Sequence, residues 1–135
     1  MVSNEDALSF LEQNSVYANR WLSAHTDWRA WLGERVHTQV DSAQIDALLL
    51  PISQALDNQE LDEAMLMSQL RLARQQLMLW IGCRDLNGLA PILEVTHALS
   101  YFAEQVLGLA VRYLRMDLQE RFGLPWARTE DHFQS

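Results

Sequence analysis

The chain has 135 residues, 49% of them hydrophobic, which is enough for one domain with a packed core. Its net charge is −8 and its ten basic residues are all arginines without a basic run, so a nucleic-acid or anionic-membrane partner is disfavoured. Five glycines and three prolines are too few turn residues for an all-β fold, and the single cysteine, Cys83, cannot form an intramolecular disulfide. We expect a cytoplasmic protein, because the sequence has neither a secretory signal nor an apolar run long enough to span a membrane.

Residues 1–60 are predicted to form short helices. Asn4 and Ser15 are suited to begin the first two of these helices, since their side chains can accept a hydrogen bond from a free backbone N–H. Trp28 and Trp31 lie in a predicted short turn that begins at Thr26 and Asp27, and they could form a ligand-stacking surface. Their spacing instead favours packing against a neighbouring helix.

Residues 41–57 are predicted to form the next helix, with Asp41 or Ser42 as its N-terminal cap. Pro51 lies inside this helix and either kinks it or divides it in two, because proline has no backbone N–H to donate. The apolar residues that recur at helical spacing are Ile45, Leu48, Leu49, Ile52 and Leu56.

The two longest helices are predicted at residues 62–86 and 91–122. Asp62 is the predicted cap of the first, and Asn87 and Gly88 form the corner between the two, since both residue types tolerate positive φ. The apolar stripe of the first long helix consists of Leu66, Leu70, Ala73, Leu77, Trp80 and Ile81. The stripe of the second consists of Ile92, Val95, Leu99, Phe102, Val106, Leu109 and Tyr113. The opposite, polar face of the second carries Glu94, His97, Tyr101, Glu104, Arg112 and Arg115.

These elements predict an all-α fold: a helical bundle built on two long antiparallel helices, with the shorter N-terminal helices packed against them. Residues 1–135 are expected to form a single helical domain. Within it, residues 123–135 are a polar tail, since Gly123 and Pro125 are typical of a helix end.

Two patterns in the sequence raise the possibility of chemistry. Glu34 and His37 form one Glu-x-x-His motif, and Glu94 and His97 form another. Two such motifs supply half the ligands of a di-iron bundle, but Glu94 and His97 fall on the predicted polar face instead of the core. Cys83 with His97 is a candidate nucleophilic pair, although a cysteine at an apolar helix end is typical of a buried, inert thiol. The residues alone therefore predict no catalytic, cofactor-binding or metal site.

The stretch "LRLARQQLMLWIGCRDLNGLAPILEVTHALSYFAEQVLGLAVRYLRMDLQERFGLP", residues 70–125, resembles a known helical segment. It is similar to the N-terminal helical part of bifunctional glutamine synthetase adenylyltransferase/adenylyl-removing enzyme, the glutamate–ammonia-ligase adenylyltransferase family. The matching positions are Leu70, Arg71, Arg74, Met78, Arg84, Asp85, Leu86, Gly88, Leu99, Ser100, Ala103, Glu104, Phe122, Gly123 and Pro125. The earlier stretch "SAHTDWRAWL" resembles the family with Thr26 in place of a proline. Trp80 and Cys83 stand where the family usually has arginine and tryptophan.

The resemblance implies that this chain is the non-catalytic N-terminal helical part of an enzyme that attaches AMP to glutamine synthetase and removes it, which regulates nitrogen assimilation. In the family a nucleotidyltransferase domain follows, and its Ser-Asp-x-Asp carboxylates hold Mg²⁺ and the nucleotide of ATP. This sequence lacks those carboxylates, so no cofactor and no catalysis are expected from the chain alone. The alternative is an autonomous helical protein–protein interaction module without an enzymatic role.

The resemblance also implies partners and candidate site residues. The remainder of the enzyme chain is the first expected partner, and glutamine synthetase and the PII signal protein are the next. Arg71, Arg74, Arg84 and Asp85 are the candidate structural or docking residues. Arg84 either pairs with Asp85 and caps the helix or reaches the catalytic domain. If that domain is missing, one face of the bundle should expose an apolar patch and permit self-association.

Overall fold

The computed structural model describes residues 2–123, and within them six α-helices are joined by short connections with no β-strand. The helices in chain order are α1 (Asn4–Asn14), α2 (Val16–Ala24), α3 (Thr26–Gly33), α4 (Ser42–Asp57), α5 (Glu63–Leu86) and α6 (Ile92–Phe122). The predicted all-α bundle is confirmed. Pro125 and the rest of the predicted tail after Gly123 lie outside the described residues. Among residues 2–123, no helix is both long enough and apolar enough to cross a membrane.

Side-chain caps determine where several helices begin. The Ser3 hydroxyl accepts a hydrogen bond from the backbone N–H of Asp6 at 3.0 Å, so Ser3 caps α1 and Asn4 is its first residue. The prediction that Asn4 is this cap is therefore wrong. The carboxylates of Asp41 and Asp62 cap α4 and α5 in the same way, at 3.0 Å and 2.8 Å. The predicted caps of these two longer helices are therefore confirmed.

α4 runs without interruption through Pro51. A proline inside a helix removes one backbone hydrogen bond and crowds the preceding turn. Burial of the apolar side offsets this loss, because two buried residues precede the proline and two follow it. These residues are Ile45, Leu49, Ile52 and Leu56. The predicted alternative in which Pro51 divides this helix in two is therefore wrong.

α4 and α6 lie side by side and run in the same direction. Three side-chain contacts define their register, and each of them joins residues 55 positions apart in the chain. The pairs are Ser42 with His97, Asp46 with Tyr101, and Asp57 with Arg112. Because the partners advance together along both helices, α4 and α6 are parallel.

α5 runs antiparallel to α6. Arg84, in the last turn of α5, contacts Glu94 in the first turn of α6, whereas Asp62 at the start of α5 shares a groove with Tyr113 far along α6. The predicted antiparallel arrangement of the two long helices is confirmed. However, α6 packs more extensively on α4 than on α5, because α5 shares its surface with α1, α3 and α4 as well.

The core is centred on α5. Every residue of its predicted apolar stripe is buried, and Trp80 is only 1% exposed. The indole Nε1 of Trp80 donates a hydrogen bond to the carbonyl oxygen of Arg35 at 2.9 Å. The ring of Trp31 packs edge-on against the ring of Trp80, with 5.7 Å between the two ring centroids. Trp28 is buried and stacks on Trp21, so the tryptophans predicted to pack do so.

The predicted stripe of α6 is only partly right. Val95, Phe102, Val106, Leu109 and Tyr113 pack against the core, but Ile92 and Leu99 are 75% and 41% exposed. Glu94, which the pattern places on the polar face, is buried. The pattern misleads here because α6 carries apolar residues on more than one side, so periodicity does not identify the side that is covered.

Candidate functional site

Arg84 occupies the last turn of α5 and its side chain is only 7% exposed. Its guanidinium group binds two separate parts of the chain besides α6. Nη1 donates to the carbonyl oxygen of Val36 at 2.8 Å, and Nη2 donates to that of Leu89 at 3.1 Å. Arg84 therefore ties the connection between α3 and α4 to the corner between α5 and α6.

Glu94 accepts two of the hydrogen bonds that Arg84 donates. Nε of Arg84 lies 2.7 Å from Oε2 of Glu94, and Nη2 lies 2.9 Å from Oε1. Oε2 also accepts a bond from the backbone N–H of Val40 at 3.3 Å. Both carboxylate oxygens are thus satisfied, and this two-point geometry is the strongest arrangement of an arginine with a carboxylate.

The predicted pairing of Arg84 with Asp85 is wrong, because the carboxylate that Arg84 binds belongs to Glu94. The alternative prediction, that Arg84 reaches a separate catalytic domain, is also wrong, because its side chain is buried and engaged inside the bundle. Neighbours in sequence point in different directions around a helix, about 100° apart. Arg84 consequently faces the core, whereas Asp85 is exposed.

The corner between α5 and α6 is built around the same residue. Gly88 adopts a φ of 71°, which a residue with a side chain rarely does, and the backbone N–H of Leu89 donates to the carbonyl oxygen of Arg84 at 2.7 Å. The side-chain amide of Asn87 donates to the carbonyl oxygens of Cys83 and Ala7, at 2.8 Å and 3.3 Å. The corner therefore also anchors α1.

The energetics of the Arg84–Glu94 pair make it a structural element. Burying two charges costs hydration that their attraction only roughly restores, so the intact pair adds little net stability. Removing one partner leaves a buried charge without compensation, at roughly 3–5 kcal/mol. Since the two groups bind each other inside the bundle, the pair fixes the corner between α5 and α6.

The other candidate residues lie at the surface. Arg71, Arg74 and Asp85 are all exposed. Arg74 lines a groove of about 310 Å³ between α5 and the α1–α2 region, together with Tyr17. Burial raises the pKa of the Tyr17 hydroxyl, and the positive charge of Arg74 opposes this rise. A docking role for these three residues stays a prediction.

The two Glu-x-x-His motifs do not come together. Both oxygens of Glu94 are bound by Arg84, and Nε2 of His97 lies 3.1 Å from the hydroxyl of Ser42. Nε2 of His37 is hydrogen-bonded to the carbonyl oxygen of Val2 at 2.8 Å. Within residues 2–123, no group of three or more His, Cys, Asp or Glu side chains is placed to hold a metal ion.

Cys83 is fully buried, and its thiol contacts the carbonyl oxygen of Ala7 at 3.8 Å. Burial raises the pKa of this thiol to about 11, with a smaller opposing effect from Asn87. A thiol with such a pKa is a poor nucleophile at neutral pH, because the thiolate is the reactive form. The predicted buried thiol is therefore confirmed, and its suggested partner His97 is bonded to Ser42 instead.

A second polar network holds α4 to α6. A groove of about 400 Å³ between these helices is lined by Asp46, Ser53, Tyr101 and Arg112. The Tyr101 hydroxyl donates to Asp46 at 2.8 Å, and this hydrogen bond raises the pKa of the tyrosine. Arg112 bonds to Ser53 and pairs with Asp57. These groups mainly bind one another across the groove, which makes them interhelical ties.

Fold and site together define an all-α module in which Arg84 with Glu94, and Arg112 with Asp57, hold helices to one another. The signal that could have revealed the central pair is modest: opposite charges ten residues apart, on either side of an Asn-Gly corner. Comparison with known sequences identifies the family. A family model described as glutamate-ammonia ligase adenylyltransferase matches residues 13–135, and the chain belongs to this family.

Three similar proteins carry the name bifunctional glutamine synthetase adenylyltransferase/adenylyl-removing enzyme. The protein from Aromatoleum aromaticum is 31% identical over 111 residues, and those from Bordetella pertussis and Bordetella bronchiseptica are each 30% identical over the same length. Each match covers 82% of this chain but only 12% of the relative. The chain therefore spans about one eighth of the length of these relatives. No solved structure matches it significantly.

Proposed function

We propose that this chain acts as a non-catalytic helical part of a glutamine synthetase adenylyltransferase and adenylyl-removing enzyme. Two observations carry the proposal: the family model matches residues 13–135, and the matches with the relatives cover only 12% of their length. The geometry supports it, because Arg84 and Glu94 bind each other inside the bundle and hold its helices together. The chain supports the nucleotidyltransferase domain that performs adenylyl transfer.

Under this proposal the chemistry belongs to that domain. Mg²⁺ and ATP are bound there, and the helical part contributes through packing. Glutamine synthetase is the substrate protein, the PII signal protein is a regulator, and the setting is the cytoplasm, where the enzyme tunes nitrogen assimilation. Arg71, Arg74 and Asp85 are exposed and can contact such partners.

A replacement experiment tests the proposal. The Aromatoleum aromaticum enzyme is prepared in three forms: intact, without the segment that matches this chain, and with this chain in place of that segment. Transfer of labelled AMP to glutamine synthetase is measured for each form and for this chain alone. We expect no transfer by this chain alone, a strong loss on deletion, and recovery in the hybrid of more than tenfold over the deletion form.

Two results would contradict the proposal. Full activity of the deletion form would mean that the helical part does not support the catalytic domain. A hybrid no more active than the deletion form, although this chain is folded within it, would favour the autonomous interaction module.

A further inference from the structure

α6 presents a side on which apolar residues face solvent. Seven of the fifteen large hydrophobic residues that are exposed among residues 2–123 belong to this one helix. The most exposed of them along one side are Leu93 at 78%, Leu107 at 65%, Val111 at 38% and Leu114 at 55%. We call the side that carries these four residues the outer face of α6.

The helical geometry places these four residues in a row. Leu107, Val111 and Leu114 are separated by four and three positions, so they share one side of the helix, and Leu93 lies four turns earlier on the same side. The row spans about 32 Å, at about 1.5 Å per residue. Between Leu93 and Leu107 the same side carries exposed Ser100 and Glu104, so the continuous apolar part of the row runs from Leu107 to Leu114. The outer face is therefore apolar in the half that lies nearest the end of the helix.

A face of this kind is unusual for a surface helix that has no further neighbour. Surface helices normally carry one apolar stripe and place polar residues opposite it. α6 already has its inner stripe, because Ala98, Phe102 and Leu109 are buried against the rest of the bundle. The outer face is therefore a second stripe, and contiguous exposed apolar surface marks sites of interaction.

The relatives indicate what covers this face. They are about eight times longer than the segment matched here, so in those proteins most of the chain lies outside the bundle. α6 is the last described helix, and it ends at Gly123 with a φ of 63°. Chain that continues beyond this point starts at the end of the helix that carries the face. A segment tethered there has a high effective concentration at the face.

We infer that the outer face of α6 is the surface against which the catalytic part of the enzyme packs. This inference rests on the proposed function. The occupant is an apolar surface of the catalytic part of the enzyme, which lies along Leu107, Val111 and Leu114 and covers them. Glu104, one turn before Leu107, lies at the polar rim of this surface, as charged residues do at protein interfaces.

The test uses the hybrid enzyme described above with two double variants. Leu107→Glu with Leu114→Glu places two charges in the outer face. Val16→Glu with Met67→Glu is the matched control, because these residues are 78% and 54% exposed and lie on α2 and α5. Leucine and glutamate have similar helix propensities, so the isolated chain should melt within 2 °C of the unchanged chain for the α6 variant.

The inference predicts that the α6 variant lowers AMP transfer by the hybrid more than tenfold, because a buried unpaired charge at an interface weakens it by several kcal/mol. The control should stay within twofold of the unchanged hybrid. Equal activity of the two variants would overturn the docking surface while leaving the proposed function in place. An unchanged hybrid without activity would overturn both.

A second measurement separates this occupant from a second copy of the chain. Sedimentation equilibrium of the isolated chain is recorded with and without the α6 substitutions. A dimer that the α6 variant dissociates, combined with an unaffected hybrid, would assign the face to self-association and overturn the inference. Loss of hybrid activity in the α6 variant, with the chain monomeric in both forms, supports it.

Discussion

α5 and α6 are the two longest helices of the bundle, but they differ in how much of each is covered. Nine residues of α5 are buried out of 24, and these include five of the six from Leu79 to Arg84. Only four residues of α6 are buried out of 31. α5 is covered by α1, α3, α4 and α6, whereas α6 packs mainly on α4 and α5. α5 is thus the central helix of the bundle, and α6 is a peripheral one.

The Arg84–Glu94 pair is the point at which the two helices depend on each other most. Glu94→Ala should lower the free energy of unfolding by about 3–5 kcal/mol, because it leaves the Arg84 guanidinium buried without a counter-charge. Glu104→Ala, at an exposed position of the same helix, is the control and should change it by less than about 0.5 kcal/mol. Urea denaturation measures both. A loss below 1 kcal/mol for Glu94→Ala would mean that solvent reaches the arginine.

Leucine truncations compare the two helices directly. Leu77 on α5 is fully buried, and Leu107 on α6 is 65% exposed. Leu77→Ala should destabilise the chain by about 3 kcal/mol through lost burial and the cavity left behind. Leu107→Ala should change stability by less than about 0.5 kcal/mol in the isolated chain. Similar losses in thermal denaturation would show that the outer face of α6 is covered in solution.

The buried thiol of Cys83 on α5 should make the stability of the chain depend on pH. Burial raises the pKa of Cys83 from 9.0 to about 11, so between these values the folded chain keeps a proton that the unfolded chain has released. Stability then falls as pH rises, by about 1 kcal/mol between pH 9 and 10. Cys83→Ala should remove this part of the slope, measured by urea denaturation at several pH values. An identical slope in both proteins would contradict the buried thiol.

Loss of a helix cap should have the smallest effect on stability, and the cap at the start of α5 can be compared with the start of α1. The carboxylate of Asp62 accepts from the backbone N–H of Met65 at 2.8 Å, so Asp62→Ala should cost about 1 kcal/mol. Asn4→Ala should cost little, because Ser3 and not Asn4 caps α1. Thermal midpoints of both variants measure the difference. A larger effect for Asn4→Ala would contradict the placement of the first cap.

The covered helix could be predicted from sequence, since all six apolar residues expected inside α5 are buried. α5 has neighbours on several sides, so its apolar residues are buried on whichever of these sides they lie. α6 has two apolar sides, and the pattern does not tell which of them meets α4. Ile92 and Leu99 were therefore placed inside although they are exposed.

The central site could not be predicted for a related reason. Periodicity assigns charged residues to solvent, and so it placed Glu94 on the polar face and paired Arg84 with its neighbour Asp85. The actual contact joins the last turn of one helix to the first turn of the next, and it also needs Val36 and Val40 from a distant connection. Local patterns carry no information on such contacts. The sequence drew attention to Arg84 because of its place at the corner, but it did not identify the groups that Arg84 binds.

The parallel register of α4 and α6 has a consequence for synthesis of the chain on the ribosome. α4 forms its contacts with residues 55 positions later, so its side towards α6 stays uncovered while α5 and α6 are being made. At about 5–20 residues per second, this interval lasts roughly 3–11 seconds. α1, α2 and α3 pack against one another and can associate earlier, although the side of α1 that meets α5 waits longer still, because Ala7 and Asn87 are 80 positions apart. During synthesis both α1 and α4 therefore expose apolar surface that only later parts of the chain can cover.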